Sequence, residues 1–271
     1  MKVAALQMVS ATTVEANLAR AGQLLAQAAE AGAELAVLPE YFCLLGRRDT
    51  DKLAVQEAPG RGPIQDFLAA QARRLGLWIV GGTLPLSTGQ PERVRNSSLV
   101  WSPTGEPVAR YDKIHLFCFD NGRERYDESR VLEAGIEPVC FDLPSRDGHR
   151  WRIGLSVCYD LRFPELYRAY AAQGADLLLV PSAFTATTGE AHWELLLRAR
   201  AVENLAYVLA PAQGGEHENG RRTWGHSMLL NPWGQVMACQ PQGEGVVLGE
   251  LDRDQLSTWR QQLPALGHRV L

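Results

Sequence analysis

The 271 residues (29.9 kDa) are 46% hydrophobic and 21% charged, an ordinary globular composition that excludes disordered, collagen-like and low-complexity classes. With 27 Lys+Arg against 31 Asp+Glu the net charge is −4, so the chain lacks the basic excess of a phosphate-backbone binder and no nucleic-acid partner is expected. One domain over residues 1–271 is expected: a compact body of this mass buries about 73% of the unfolded chain's surface, and no Ser/Gly/Pro-rich linker divides it.

Short apolar runs alternate with segments of helical period, the pattern of a layered α/β fold. Val3–Met8 reads as a strand, and nothing before it resembles a secretion signal. Thr12 and Glu15 then offer a capping box, and Val14, Leu18, Ala21, Leu25 and Ala28 follow along one helical face. Leu35–Leu38 reads as a buried strand, Gly62–Leu75 as a helix, and Leu77–Leu84, Ser97–Trp101 and Pro107–Tyr111 as strands. Trp151–Val157 is another strand. Pro164 suits the first turn of the next helix, because proline lacks only a donor that is orphaned there. Asp176–Val180 repeats the buried-strand pattern, Thr187 and Glu190 offer a second capping box, and Trp193, Leu197 and Ala201 continue a helical face. Tyr207–Leu251 returns to strands around a polar stretch, Gly214–Arg222, that reads as a mobile loop. No apolar run approaches the ~20 residues of a membrane helix, so no membrane partner is expected. Cysteines 43, 118, 140, 158 and 239 are widely spaced with no Cys-x-x-Cys pair, against a disulfide framework or a metal site, and a cytoplasmic location is expected.

Three polar residues stand at the ends of apolar strands, where open sheets build sites: Glu40, Lys113 and Cys158. The helix beginning near Pro164 would point its N-terminus back toward Cys158 and favour the thiolate, although cysteine is also among the residues most often simply buried. Glu40 is either a surface carboxylate or, walled by Leu38, Pro39, Tyr41 and Phe42, a group able to accept and donate a proton near neutrality. Lys113 either pairs with Asp112 or points inward, where its ammonium stabilises a negative oxygen. A thiol, a carboxylate and a fixed cation together meet the needs of acyl transfer from an amide.

The blocks carrying these residues are Leu38-Pro39-Glu40-Tyr41-Phe42, Tyr111-Asp112-Lys113-Ile114-His115 and Gly154-Leu155-Ser156-Val157-Cys158-Tyr159-Asp160. In this order the chain resembles the nitrilase superfamily of carbon–nitrogen hydrolases. Pro181–Phe184, His192-Trp193-Glu194, Gly225-His226-Ser227 and Asn231-Pro232-Trp233-Gly234 extend the likeness over nearly the whole length. The resemblance implies a four-layer αββα sandwich, a Glu40–Lys113–Cys158 triad and a second glutamate, Glu128, that orients Lys113 and the catalytic water. Taken alone, Glu128 lies in a charged stretch that reads as a solvated loop. The resemblance further implies no cofactor, a homodimer or larger homo-oligomer, and a small amide substrate lined by Arg162, Phe184 and Thr188. The branch most resembled holds deaminated glutathione amidases and ω-amidases. Arg162 offers a planar fork for a carboxylate, against the simpler alternative of a helical pair with Glu165, and the Tyr159 N–H is expected to face the oxyanion.

Other constellations are weaker. Gly154-Leu155-Ser156-Val157-Cys158 approaches a Gly-x-Ser-x-Gly elbow but ends in cysteine, and Gly60-Arg61-Gly62-Pro63 lacks the third glycine of a dinucleotide fingerprint. His115, His192 and His226 lack metal-ligand spacing and are expected to pack or support. Two further alternatives are a Cys–His enzyme using His192 or His226 as base, and a non-catalytic ligand-binding or scaffold protein of the same fold.

Overall fold

The computed structural model describes residues 1–270. The first sheet holds β1 (Lys2–Gln7), β2 (Leu35–Val37), β3 (Trp78–Val80), β4 (Leu84–Ser87), β5 (Val94–Trp101) and β6 (Pro107–Asp112), and is completed by the C-terminal strand β15 (Gly245–Glu250). Its order is β15-β1-β2-β3-β5-β4, with β6 also pairing β5. The second sheet runs β14 (Val236–Gln240), β13 (Ser227–Leu230), β12 (Tyr207–Ala210), β11 (Leu177–Leu179), β10 (Arg150–Leu155) and β9 (Cys140–Pro144). A short hairpin of β7 (Cys118–Asp120) and β8 (Arg125–Asp127) stands apart.

Strand periodicity builds the layers. Val3 and Ala5 point into a core shared with Trp151, Ile153 and Leu209 of the second sheet, whereas Ala4 and Leu6 point the other way. The outward set packs on α1 (Val14–Glu30) and α3 (Pro63–Leu75) through Leu24, Leu25, Ile64 and Leu68, all essentially buried. Burying each such leucine contributes about 1.5–3 kcal/mol. On the far side α4 (Pro164–Ala172) and α5 (Ala186–Asn204) cover the second sheet with Tyr167, Tyr170, Trp193 and Leu197. The result is the four-layer αββα sandwich, with α2 (Asp51–Ala54) and α6 (Arg253–Gln262) at its periphery. Among the described residues no helix is long and apolar enough to cross a membrane.

Local patterns fail where distant groups compete. Neither expected capping box forms. The chain enters α1 at Thr13, while the Thr12 hydroxyl donates to Glu218 Oε2 at 2.7 Å. Helix α5 starts earlier than expected, capped by Thr185, whose Oγ1 accepts from the Thr188 N–H at 3.2 Å; Thr187 instead donates to Glu124. The strand expected over Leu77–Leu84 breaks at Gly82, which has φ +49° and lies so close to Pro39 that a Cβ would stand 2.0 Å from the Pro39 carbonyl. The segment Gly214–Arg222, expected to be mobile, is tied down. Its buried His217 contacts the Ser10 carbonyl through Nδ1 (3.0 Å) and Thr223 through Nε2 (2.8 Å), and Asn219 donates to the Gly46 carbonyl (2.7 Å).

Candidate active site

Strands β1–β2–β3 and β10–β11–β12 run parallel within their sheets, and the segments that leave the carboxyl ends of β2, β10 and β11 line one shared pocket. Glu40 follows β2, Lys113 follows β6 directly, Glu128 opens a short 3₁₀ turn after β8, and Cys158 opens another after β10. Two residues here hold left-handed backbone without being glycine, Tyr41 (φ 57°) and Cys158 (φ 51°), each a costly conformation that the surrounding contacts must enforce. For Tyr41 the contact is Thr83 Oγ1, which accepts its N–H at 2.9 Å; for Cys158 it is the Pro181 carbonyl at 3.0 Å.

Glu40 is buried, but its carboxylate meets donors rather than the apolar wall expected from its neighbours. Asn96 Nδ2 (2.9 Å) and Lys113 Nζ (2.9 Å) address Oε1, and the Ala183 N–H (3.0 Å) addresses Oε2. Gln213 donates to the Glu40 carbonyl at 3.0 Å and fixes its backbone. Lys113, also buried, has no partner in Asp112; its ammonium donates to Glu40 and to both oxygens of Glu128 (3.0 and 2.8 Å). Tyr41 Oη and the Phe117 N–H, each at 2.7 Å, hold Glu128 from the other side, so the expected solvated loop is a fixed carboxylate. The Cys158 turn is tied to the Lys113 segment through Asp160, which accepts from the Val157 N–H, Tyr111 Oη and the His115 N–H.

Burial alone would lower the Lys113 ammonium, yet Glu128 and Glu40 hold its pKa above the ordinary value, and the protonated lysine in turn depresses Glu128 against the same burial penalty. At Cys158 the outcome opposes the expectation of a thiolate. Burial, and then the Glu40 carboxylate beside it, push the thiol well above its usual range, and Lys113 offsets this only in part. A 3₁₀ turn of five residues stands between Cys158 and α4, so that helix's N-terminus does not abut the sulfur. The resting group is therefore a thiol with a carboxylate next to it.

The pocket above these groups is narrow. Cys158, Glu40 and Glu128 line it together with the expected Tyr159, Arg162, Phe184 and Thr188; Lys113 does not reach its surface. Arg162 forms no ion pair with Glu165 among the described residues. Its guanidinium lies 5.7 Å from the Tyr159 ring and 5.8 Å from Phe184, with Nη2 3.3 Å from His192 Nδ1. The Tyr159 N–H has no hydrogen-bond acceptor among the described residues. No histidine lines the pocket: His226 stacks on Trp224, and His115 is held by Asp160 and Phe163. Among the described residues no cluster of His, Cys, Asp and Glu is placed to hold a metal ion.

Sequence patterns missed Asn96, Tyr41, Asp160, Ala183 and Arg221. The run Asn96-Ser97-Ser98 inside a strand was a readable signal, since polar residues in a buried strand need internal partners. Nothing local marks Arg221, which reaches the pocket from the segment 214–222.

The family model for carbon-nitrogen hydrolase matches residues 2–261. A Synechocystis protein called deaminated glutathione amidase is 41% identical over 98% of this chain and 97% of its own length, and a human omega-amidase is 36% identical over 97% and 92%. Among solved structures, a CN-hydrolase superfamily protein from Xanthomonas campestris with an arsenic adduct in its active site has a TM-score of 0.86 at 30% identity, covering 100% of this chain and 97% of that one. A glutamate-to-glutamine mutant of a Nesterenkonia amidase, showing Michael addition of acrylamide at the active-site cysteine, has a TM-score of 0.79 at 29% identity, covering 97% and 98%. A sandwich of this kind with a thiol, two carboxylates and a lysine at its strand ends defines a hydrolase of carbon–nitrogen bonds. The chain belongs to the carbon–nitrogen hydrolase family, within the nitrilase superfamily.

Proposed function

We propose that this protein hydrolyses a small amide bearing a carboxylate, through a thioester on Cys158. The observation that carries this is the buried Lys113 ammonium shared by Glu40 and Glu128 next to the thiol, beside a pocket that Arg162, which has no carboxylate partner among the described residues, also lines. Arg162 clamps the substrate carboxylate. Glu40 takes the thiol proton as sulfur attacks the amide carbon, and the Tyr159 N–H donates to the oxyanion while Lys113 contributes fixed positive charge from behind the carboxylates. The C–N bond breaks as Glu40 passes that proton to nitrogen. Water, deprotonated by Glu40 and oriented by Glu128, then attacks the thioester, the carboxylic acid leaves, and the proton returns to sulfur. No metal or organic cofactor enters these steps.

The names of the relatives support an amide of the deaminated glutathione type as substrate; in this reading residues 1–271 act as one domain, in the cytoplasm. The small inner pocket supports a second reading, an ω-amide such as α-ketoglutaramate that releases ammonia. Exposed Leu195 (67%) and Val202 (47%) on α5, with Trp233 (47%), support a homodimer or larger homo-oligomer. Arg162→Lys tests the clamp. Losing the paired charge-assisted contact is expected to lower kcat/KM on carboxylate-bearing amides about 10–100-fold, mainly through KM, with little change on a neutral amide of the same size. Equal losses on both substrates would remove Arg162 from that role.

A further inference from the structure

The charges in contact at the site do not balance. Glu40 and Glu128 bring two carboxylates against the single ammonium of Lys113, and a surplus charge held away from water is costly. Lys52, on the short helix α2, stands nearby. Asp51 fixes the start of that helix by accepting the Arg47 and Arg48 N–H groups (2.8 and 3.0 Å), and Leu53 packs on the cluster of Val94, Val131 and Leu132. So held, Lys52 places its Nζ 4.8 Å from the centre of the Tyr41 ring. It is half-buried, with no hydrogen-bond acceptor and no carboxylate in ion-pair contact among the described residues. Tyr41 completes the link, because its Oη donates to Glu128 Oε1 at 2.7 Å. A cation over a phenol draws on the ring electrons and strengthens the O–H as a donor. Burial, then Glu128 and Glu40, raise the Tyr41 hydroxyl well above its ordinary value, so it stays protonated and donates. Burial raises the Glu128 carboxyl, whereas Lys113 and then Lys52 pull it down. The titratable groups acting on Glu128 and its partners are Lys113, Glu40, Tyr41, Cys158 and Lys52, with Asp49 and Arg221 acting in turn on Lys52.

We propose that Lys52 is a positioning residue for hydrolysis of the acyl-enzyme: seated on the Tyr41 ring, it offsets the surplus negative charge of Glu40 and Glu128 and keeps Glu128 ionised and aimed at the attacking water. The inference rests on the amidase reading and adds to it a residue that does not line the pocket and acts through Tyr41 and Glu128. In that step the water oxygen bonds to the acyl carbon, Glu40 takes the water proton, the C–S bond breaks, and the proton passes to sulfur. Glu128 only accepts a hydrogen bond from the water. A protonated carboxyl loses acceptor capacity, so discharging Glu128 slows this step first. Formation of the acyl-enzyme uses the thiol and Glu40 without that water, and its rate therefore serves as an internal comparison.

Lys52→Met tests this with a primary amide of a carboxylate-bearing acyl group, whose leaving group is ammonia. Rapid quench with intact-mass detection, run from pH 4 to pH 8, reads formation and decay of the acyl-enzyme separately. Removing a positive charge raises the Glu128 carboxyl. The acid limb of the decay rate is therefore expected to move up by about one pH unit, the size that loss of one nearby charge produces in a partly screened site. Decay at the acid end should slow up to about tenfold, while formation at pH 8 and KM change less than about twofold. Lys52→Arg keeps the charge and should restore the wild-type limb. An acid limb that stays in place in folded Lys52→Met, or one that moves equally in Lys52→Arg, would overturn the proposal, as would a rise in KM alone. Melting curves establish the fold; should Lys52→Met not fold, Lys52→Gln takes its place with the same supporting and opposing results. Failure of the amidase reading looks different, because the wild type itself would then form no acyl mass on Cys158 and release no ammonia.

Discussion

Cys158→Ala is expected to leave a folded protein whose amide turnover is reduced by at least about 10⁴-fold, because Cys158 is the only thiol lining the pocket and the one nucleophile there with Glu40 beside it as base. The change removes one sulfur from a buried position and leaves the Cys158 N–H bonded to the Pro181 carbonyl, so the thermal midpoint should lie within a few degrees of wild type. Ammonia or amine release, measured beside a melting curve, checks both halves. Wild-type turnover in the variant would take the nucleophile away from this residue. Loss of turnover accompanied by loss of the fold would show only that the left-handed turn at Cys158 tolerates no change, and Cys158→Ser then serves as the gentler comparison.

Lys113→Met is expected to damage both stability and activity. Lys113 is the one cation in ion-pair contact with the two carboxylates among the described residues, and removing it leaves Glu40 and Glu128 with only their neutral donors and the more distant Lys52 charge. Breaking a buried ion pair on one side costs about 3–5 kcal/mol. Turnover should fall about 100- to 1,000-fold, the usual loss when one element of charge stabilisation is removed. The pH dependence carries a sign. In the wild type the raised Lys113 contributes its full stability below its ordinary value of 10.5 and loses it only above, while the depressed Glu128 contributes above its ordinary value of 4.5 and loses it as pH falls further. Both contributions are therefore present at neutrality. Without Lys113 only the Lys52 charge and the Phe117 N–H still oppose the burial penalty on Glu128, so its carboxyl rises and the variant should regain part of its deficit on mild acidification, where the wild type gains nothing. Denaturant melts at pH 5 and pH 8 read this difference; a deficit of equal size at both values would contradict it.

Much of this was legible in the chain. The short apolar runs of β1 and β2, the helical faces of α1 and α3, and the proline at the start of α4 mark the layers, because each depends on residues close in sequence. Glu40, Lys113 and Cys158 were visible for a similar reason: each follows an apolar strand where a polar residue is out of keeping. The arrangement among them was not. From sequence alone Lys113 had Asp112 as the nearer partner, but Asp112 pairs with Arg95 and Arg110, freeing Lys113 to turn inward. Thiolate character at Cys158 was read from a helix following in sequence, yet burial and the charge of Glu40, a residue 118 positions away, decide the matter. The same long-range competition removed both capping boxes and drew Arg221 into the pocket neck. Pairings that need three or four separate segments leave no periodic trace.

A resting thiol next to a carboxylate has a consequence for kinetics. Glu40 both raises the thiol and receives its proton, so Glu40→Gln should free the sulfur from that charge while removing the base that activates water. Acylation can then outlast deacylation. The decisive measurement is intact-protein and peptide mass spectrometry of the Glu40→Gln protein incubated with a carboxylate-bearing amide. An added mass equal to the acyl group, located on the peptide containing Cys158 and removed by hydroxylamine, is the expected result; an enzyme that turns the amide over with no acyl mass on Cys158, or with the adduct elsewhere, would contradict a thioester route.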